Sequence, residues 1–121
     1  MINYKNRTYG KTKNISIEDL KNLFHDKKFD YLSVVLLFGS RAKGVATRQS
    51  DYDFAIAGDS KNAPFGLQAK SWMDISIMMD VSEYDIDVID LSRADDLMKS
   101  SIVEKYIVLK GDENEISRLL T

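Results

Sequence analysis

The residues best equipped for chemistry lie between Phe38 and Asp53. An apolar run, Val34 to Phe38, stops at Gly39-Ser40, and ten residues later Asp51 and Asp53 flank Tyr52. Alternate side chains of a strand share a face, so Asp51 and Asp53 are expected to point one way and Tyr52, Phe54 and Ile56 the other. Two carboxylates about 4 Å apart repel by about 4 kcal/mol at an effective dielectric near 20. A divalent cation reverses the sign of that interaction, and hard carboxylate oxygens suit Mg²⁺. A strand that ends in a small-residue turn at a helix start leaves backbone N–H groups free for a phosphate. Alone, a Gly-Ser pair is equally a tight turn.

A third acid stands out by its surroundings. Asp85 to Leu91 reads as a strand in which Ile86, Val88 and Asp90 face one way and Asp85, Asp87 and Ile89 the other. Asp87 is flanked by apolar residues, and an acid in the middle of a short apolar strand is unusual unless a partner holds it. Asp85 shares its face and Asp90 lies close, so Asp87 competes with both for any role. His25, the lone histidine, sits beside a helical apolar stripe, where histidines are usually structural or solvent-facing. Trp72 and the methionines around it read as core filling.

Several better-known motifs are excluded. Gly39 to Gly44 has the glycine spacing of a P-loop, but Val45 and Ala46 follow where Lys and Ser/Thr are needed. No G-x-G-x-x-G is present, so a Rossmann dinucleotide site is out. Asp51-x-Asp53 could begin a calcium loop, yet Ala55 and Asn62 stand where further ligands belong.

The elements that must carry these residues are legible in order. Ile15 to about Lys28 has Ile17, Leu20, Leu23 and Phe24 at helical spacing, with Asn14 or Ser16 as N-cap. Val34–Phe38 is continuously apolar, as in a strand covered on both faces. Tyr52–Ala57 is a second strand, 58–66 a loop with Pro64, and Leu67–Met79 a helix. After the strand at 85–91, Ser92-Arg93-Ala94-Asp95 fits a helix start. That helix runs to about Glu104, and Tyr106–Leu109 forms a last strand before Gly111. The expected organisation is therefore a basic arm over 1–14, one domain over 15–111 and a charged tail over 112–121. Ile116, Leu119 and Leu120 in the tail have helical spacing, which leaves open packing on the domain, packing on a partner, or neither.

Composition bounds the class. A chain of 121 residues, 44% hydrophobic and 30% charged, is ordinary for one soluble domain. It has no cysteine, which removes disulfides and thiolate metal sites. Its apolar runs are too short to span a membrane, and the N-terminus lacks a signal-peptide core, so a cytoplasmic protein is expected. Net charge is −2, which argues against nonspecific nucleic-acid binding. The charge is uneven: residues 1–49 carry ten Lys/Arg against four Asp/Glu, and residues 50–121 carry seven against fifteen. Either the helices are simply solvated, or the acidic half holds metal while the basic half meets phosphate or an acidic partner.

Gly39-Ser40, ten residues, Asp51-Tyr52-Asp53 and then Asp87 within Ile86-Asp87-Val88-Ile89-Asp90-Leu91 resemble the signature of the DNA polymerase beta-type nucleotidyltransferase superfamily. Within it the chain looks like the minimal nucleotidyltransferases (MNT), the antitoxin halves of HEPN/MNT toxin–antitoxin pairs. The resemblance runs from the first helix to the strand at Tyr106–Leu109. It implies an α/β (α+β) fold, a mixed β-sheet flanked by helices like the polymerase beta palm. It also implies adenylyl transfer from ATP with release of pyrophosphate. Gly39 and Ser40 would hold the β/γ-phosphates. Asp51 and Asp53 would ligate Mg²⁺ on the triphosphate, and Asp87 would help hold a second ion and activate the attacking hydroxyl. Of the cations Arg41, Lys43 and Arg48 in the connecting segment, Arg41 is the one expected on phosphate. Larger adenylyltransferases of the superfamily add a helical domain that builds the acceptor pocket, and this chain is too short for one. The implied acceptor is then a hydroxyl, tyrosine foremost, on an all-helical HEPN toxin partner, with the chain acting as an AMPylating antitoxin. Two rivals stand beside this: an antitoxin that masks the toxin by contact alone, and a transferase for a small-molecule or nucleic-acid acceptor working with a separate helical subunit.

Overall fold

The computed structural model describes residues 14–46 and 50–121. The basic arm, but for Asn14, and Arg48 therefore lie outside the described residues. The core is a four-stranded mixed sheet of β1 (Leu32–Phe38), β2 (Tyr52–Gly58), β3 (Ile86–Asp90) and β4 (Tyr106–Lys110), in the order β3-β2-β1-β4. β1 runs antiparallel to both β2 and β4, and β2 runs parallel to β3. The central position of β1 explains its composition: every residue except Ser33 is buried. The expected mixed sheet flanked by helices is present.

Alternation along the strands builds two cores. On one face Val35, Leu37, Tyr52, Phe54, Ile56, Ile86 and Val88 pack under α1 (Ile17–Phe24) and α3 (Leu67–Met79), through Leu20, Phe24, Leu67, Ile75 and Met79. On the other, Val34, Leu36, Phe38, Ala55 and Ala57 pack under α4 (Asp96–Glu104) and α5 (Glu113–Leu120), through Ile102 and Ile116. The segment expected as a charged tail is thus α5. Asp112 caps it by accepting from Glu115 N, and Ile116 is only 2% exposed.

Boundaries differ from the sequence expectation for local reasons. α1 is shorter than the expected span to Lys28; it starts at the Ser16 cap and ends at Phe24, and a 3₁₀ turn at Lys27–Phe29, capped by Asp26, carries Phe29 into the core. The stretch at 91–93 is a 3₁₀ turn capped by Asp90, and α4 begins after Asp95, whose carboxylate accepts from Met98 N. Among the described residues no helix is long and apolar enough to cross a membrane.

β3 is an edge strand, yet side chains occupy two of its carbonyls. Trp72 Nε1 donates to Glu83 O (2.9 Å) and Ile86 O (3.1 Å), and Gln68 Nε2 donates to Val88 O (2.7 Å). Side chains of helix α3 thus cover part of that edge, which weakens it as a template for strand addition. Trp72 therefore does more than fill the core.

Candidate active site

Strand register brings one row of side chains to the end of the sheet where β1 finishes and β2, β3 and β4 begin. Asp87 pairs with Asp53, Asp53 with Phe38, and Phe38 with Tyr106. All four lie on the α4/α5 face, because Asp53 alternates with Tyr52 and Phe54, which fill the opposite core. Phe38 is buried, so the cross-strand neighbour of the half-buried Asp53 on this side is apolar.

The electrostatics of Asp53 follow from that position. Burial pushes its pKa up from 3.8 to about 6, and the carboxylates of Asp87 and then Asp51 push the same way. Asp51 and Asp87 are exposed and Asp53 is half-buried. Deprotonation of Asp53 is thus opposed by its neighbours, a condition that a cation relieves.

Gly39 forms the wall opposite. It has φ +73° and ψ −156°, and a Cβ placed on it would collide with the Asp53 carboxylate oxygen Oδ2. Only glycine permits both the backbone conformation and this approach. Behind it α2 (Ser40–Lys43) is a single turn ended by Gly44, and the amides of its first residues have no intrahelical acceptor. Glycine, free amides and acids therefore adjoin one another at the end of β1.

The donor set fits a hard divalent ion: carboxylate oxygens only, with no thiolate or imidazole. Among the described residues no group of three or more His, Cys, Asp or Glu side chains is placed to hold a metal ion. A partial set matches Mg²⁺, which keeps several waters and completes its shell with substrate phosphates.

The nearby cations make contacts within the chain. The Arg41 guanidinium lies 4.0 Å from the centre of the Tyr52 ring, and its Nε and Nη2 donate to Ser50 O at 3.1 and 2.8 Å. Its Nη1 donates to Asn14 Oδ1 at 3.0 Å. Lys43 reaches Glu104 at 3.3 Å across exposed surface, a pair of little energetic weight. His25 is the C-cap of α1, with Nδ1 2.6 Å from Lys21 O. The Arg41 partners were missed from sequence: a backbone carbonyl as acceptor leaves no trace in residue type. Also beside the acids, a cleft of about 530 Å³ follows the outer edge of β3, lined by Asp87, Gln68, Trp72 and Arg93 and rimmed by the exposed Phe65 and Tyr84.

Residues 18–115 match the family described as Polymerase beta, Nucleotidyltransferase. Comparison with curated proteins gives no match. Among solved structures, a chain of a toxin–antitoxin complex with AMP-PNP is 22% identical, with TM-score 0.66, over 88% of this chain and 82% of that one. A chain of the MntA–HepT toxin–antitoxin complex is 19% identical, with TM-score 0.57, over 86% and 77%. A third, from the complex of a tri-AMPylated Shewanella oneidensis HEPN toxin with an MNT antitoxin, is 20% identical, with TM-score 0.57, over 87% and 81%. At these identities the likeness establishes the fold.

Proposed function

The chain belongs to the polymerase beta nucleotidyltransferase family, and on that premise we propose that it is a Mg²⁺-dependent adenylyltransferase of the minimal, antitoxin type, which modifies a hydroxyl on a HEPN toxin partner and so silences it. The observation that carries this reading is the in-register pairing of Asp53 with Asp87 directly against Gly39. Structural likeness to toxin–antitoxin chains, one with AMP-PNP and one with an AMPylated HEPN toxin, supports the choice of nucleotide and partner.

Asp51, Asp53 and Asp87 would hold Mg²⁺. When bound, the ions supply charge neutralisation on the triphosphate and on the attacking oxygen. The chain's own residues do the rest. Gly39 and Ser40 present amides to the β- and γ-phosphates, which fixes the α-phosphorus in front of the acids. Asp87 takes the proton of the acceptor hydroxyl. The acceptor oxygen then bonds to the α-phosphorus, the bond from that phosphorus to the β-phosphate bridging oxygen breaks, and pyrophosphate leaves. The cleft along β3 gives an acceptor side chain a route to Asp87. That cleft is open to solvent, and on this reading the acceptor is a side chain presented by a partner.

The test is the intact mass of the toxin after incubation with this chain, ATP and Mg²⁺. Wild-type protein is expected to add one or more AMP groups, and Asp53→Asn none. A toxin neutralised equally well by Asp53→Asn, with no mass added by either protein, would show masking by contact and overturn the enzymatic reading.

A further inference from the structure

We propose that Arg41 is a positioning residue for the acid pair and not a ligand of the nucleotide phosphates. The proposal deepens the nucleotidyl-transfer reading above and rests on it. Arg41 immediately follows Gly39-Ser40, where a cation is naturally assigned to the triphosphate. Its guanidinium is engaged elsewhere: Nε and Nη2 converge on Ser50 O, Nη1 is on Asn14 Oδ1, and the plane lies over the Tyr52 ring.

Each contact bears on the acids. Ser50 is the residue before Asp51, so the fork fixes the peptide from which Asp51 departs. Tyr52 stands between the two aspartates, and alternation makes its orientation the mirror of theirs. Tyr52 is 1% exposed, stacks in parallel on Phe54 at 6.0 Å, and accepts a hydrogen bond from Ile15 N at 2.9 Å. Arg41 thus presses on a ring already anchored in the core. One side chain of α2 joins the glycine turn to the strand that carries the acids, bridging the ten intervening residues. The fork and the Asn14 bond use three of the five guanidinium N–H groups, and one face of the plane is on the ring. Lysine keeps the charge but can neither send two parallel N–H groups to one carbonyl nor stack as a plane on tyrosine.

The two roles separate cleanly in Arg41→Lys and Arg41→Ala, each first checked for a native far-ultraviolet spectrum and a cooperative melt. In the metal-free, nucleotide-free protein, amide hydrogen exchange at Ser50 to Asp53 is expected to accelerate at least tenfold in both variants, with Ala55 to Ala57 unchanged. Mn²⁺ affinity, followed by water-proton relaxation without nucleotide, is expected to fall at least fivefold in both. With the toxin partner, kcat should fall at least tenfold in both, while KM for ATP moves less than threefold. The opposite pattern overturns the proposal: unchanged exchange in either variant, or a KM for ATP raised tenfold by alanine and restored by lysine. Exchange is read without catalysis, so an inactive wild-type protein would sink the enzymatic reading and leave the clamp still decided by exchange at Ser50 to Asp53.

Discussion

Neutralising Asp53 should make the metal-free protein more stable. The carboxyl is raised from 3.8 to about 6 by burial and by the two neighbouring carboxylates. At about 1.36 kcal/mol per pH unit this is at most about 3 kcal/mol of opposition to the charged form, and solvent screening of a half-open group reduces it to about 1 kcal/mol. The folded state binds a proton at Asp53 more tightly than the unfolded chain does. That contribution is therefore full below about pH 4 and lost as pH rises through about 6. Asp53→Asn lacks the charge and can donate its amide to Asp87. In EDTA it should match wild type near pH 4 and exceed it by about 1 kcal/mol at pH 8, or about 3–5 °C in Tm. Mg²⁺ should reverse the ranking: at tenfold excess over its dissociation constant it adds about 1.4 kcal/mol to wild type and much less to the variant. Urea melts at the two pH values, with EDTA or Mg²⁺, measure all of this. Equal stability of the two proteins at pH 8 in EDTA, or equal stabilisation by Mg²⁺, would refute the account of the acids as a cation site.

Four further perturbations test the frame. Gly39→Ala should cost about 2 kcal/mol in urea melts, along with nearly all transferase activity. Gly44 has a similar φ of +74° but open space around its Cβ; Gly44→Ala should cost about 1 kcal/mol and leave activity near wild type. Trp72→Phe removes the donor to Glu83 O and Ile86 O. It should cost about 1 to about 2 kcal/mol, with faster hydrogen exchange confined to residues 83–90. Ile116 is buried, and Ile116→Ala should cost about 3 kcal/mol by denaturant titration, as for a core aliphatic side chain and not for a dangling tail.

Much of this arrangement was legible because it rests on alternation. Val34 to Phe38 is apolar throughout since β1 is central, and the parity of 52–56 put Asp53 opposite Tyr52 and Phe54. The Gly39-Ser40 turn was visible for the same reason that it is needed, since no other residue fits at position 39. What escaped depends on tertiary neighbours. Parity set the face of Asp87, but only the parallel register of β2 with β3 puts it against Asp53 and not beside Asp51. Helical spacing at Ile116, Leu119 and Leu120 announced an amphipathic helix without naming the surface it covers. The start of α4 was misjudged because Asp90 and Asp95 each cap a turn, and a run of capping residues reads alike in either register.

The parallel pairing of β2 with β3 has a consequence for how the protein comes into being. Asp53 and Asp87 are adjacent only after the whole of residues 59–85, including α3, has wrapped over the sheet and returned. Such a closure carries an entropic cost before any contact rewards it. The hairpin of β1 and β2 can form early from local contacts, complete with its glycine bend, and still lack its third acid. A chain emerging from the ribosome is on this account inert until residue 87 is both made and seated. On the proposed function competence then arrives as one late event, and a copy truncated before residue 87 holds the glycine bend and two acids without the third.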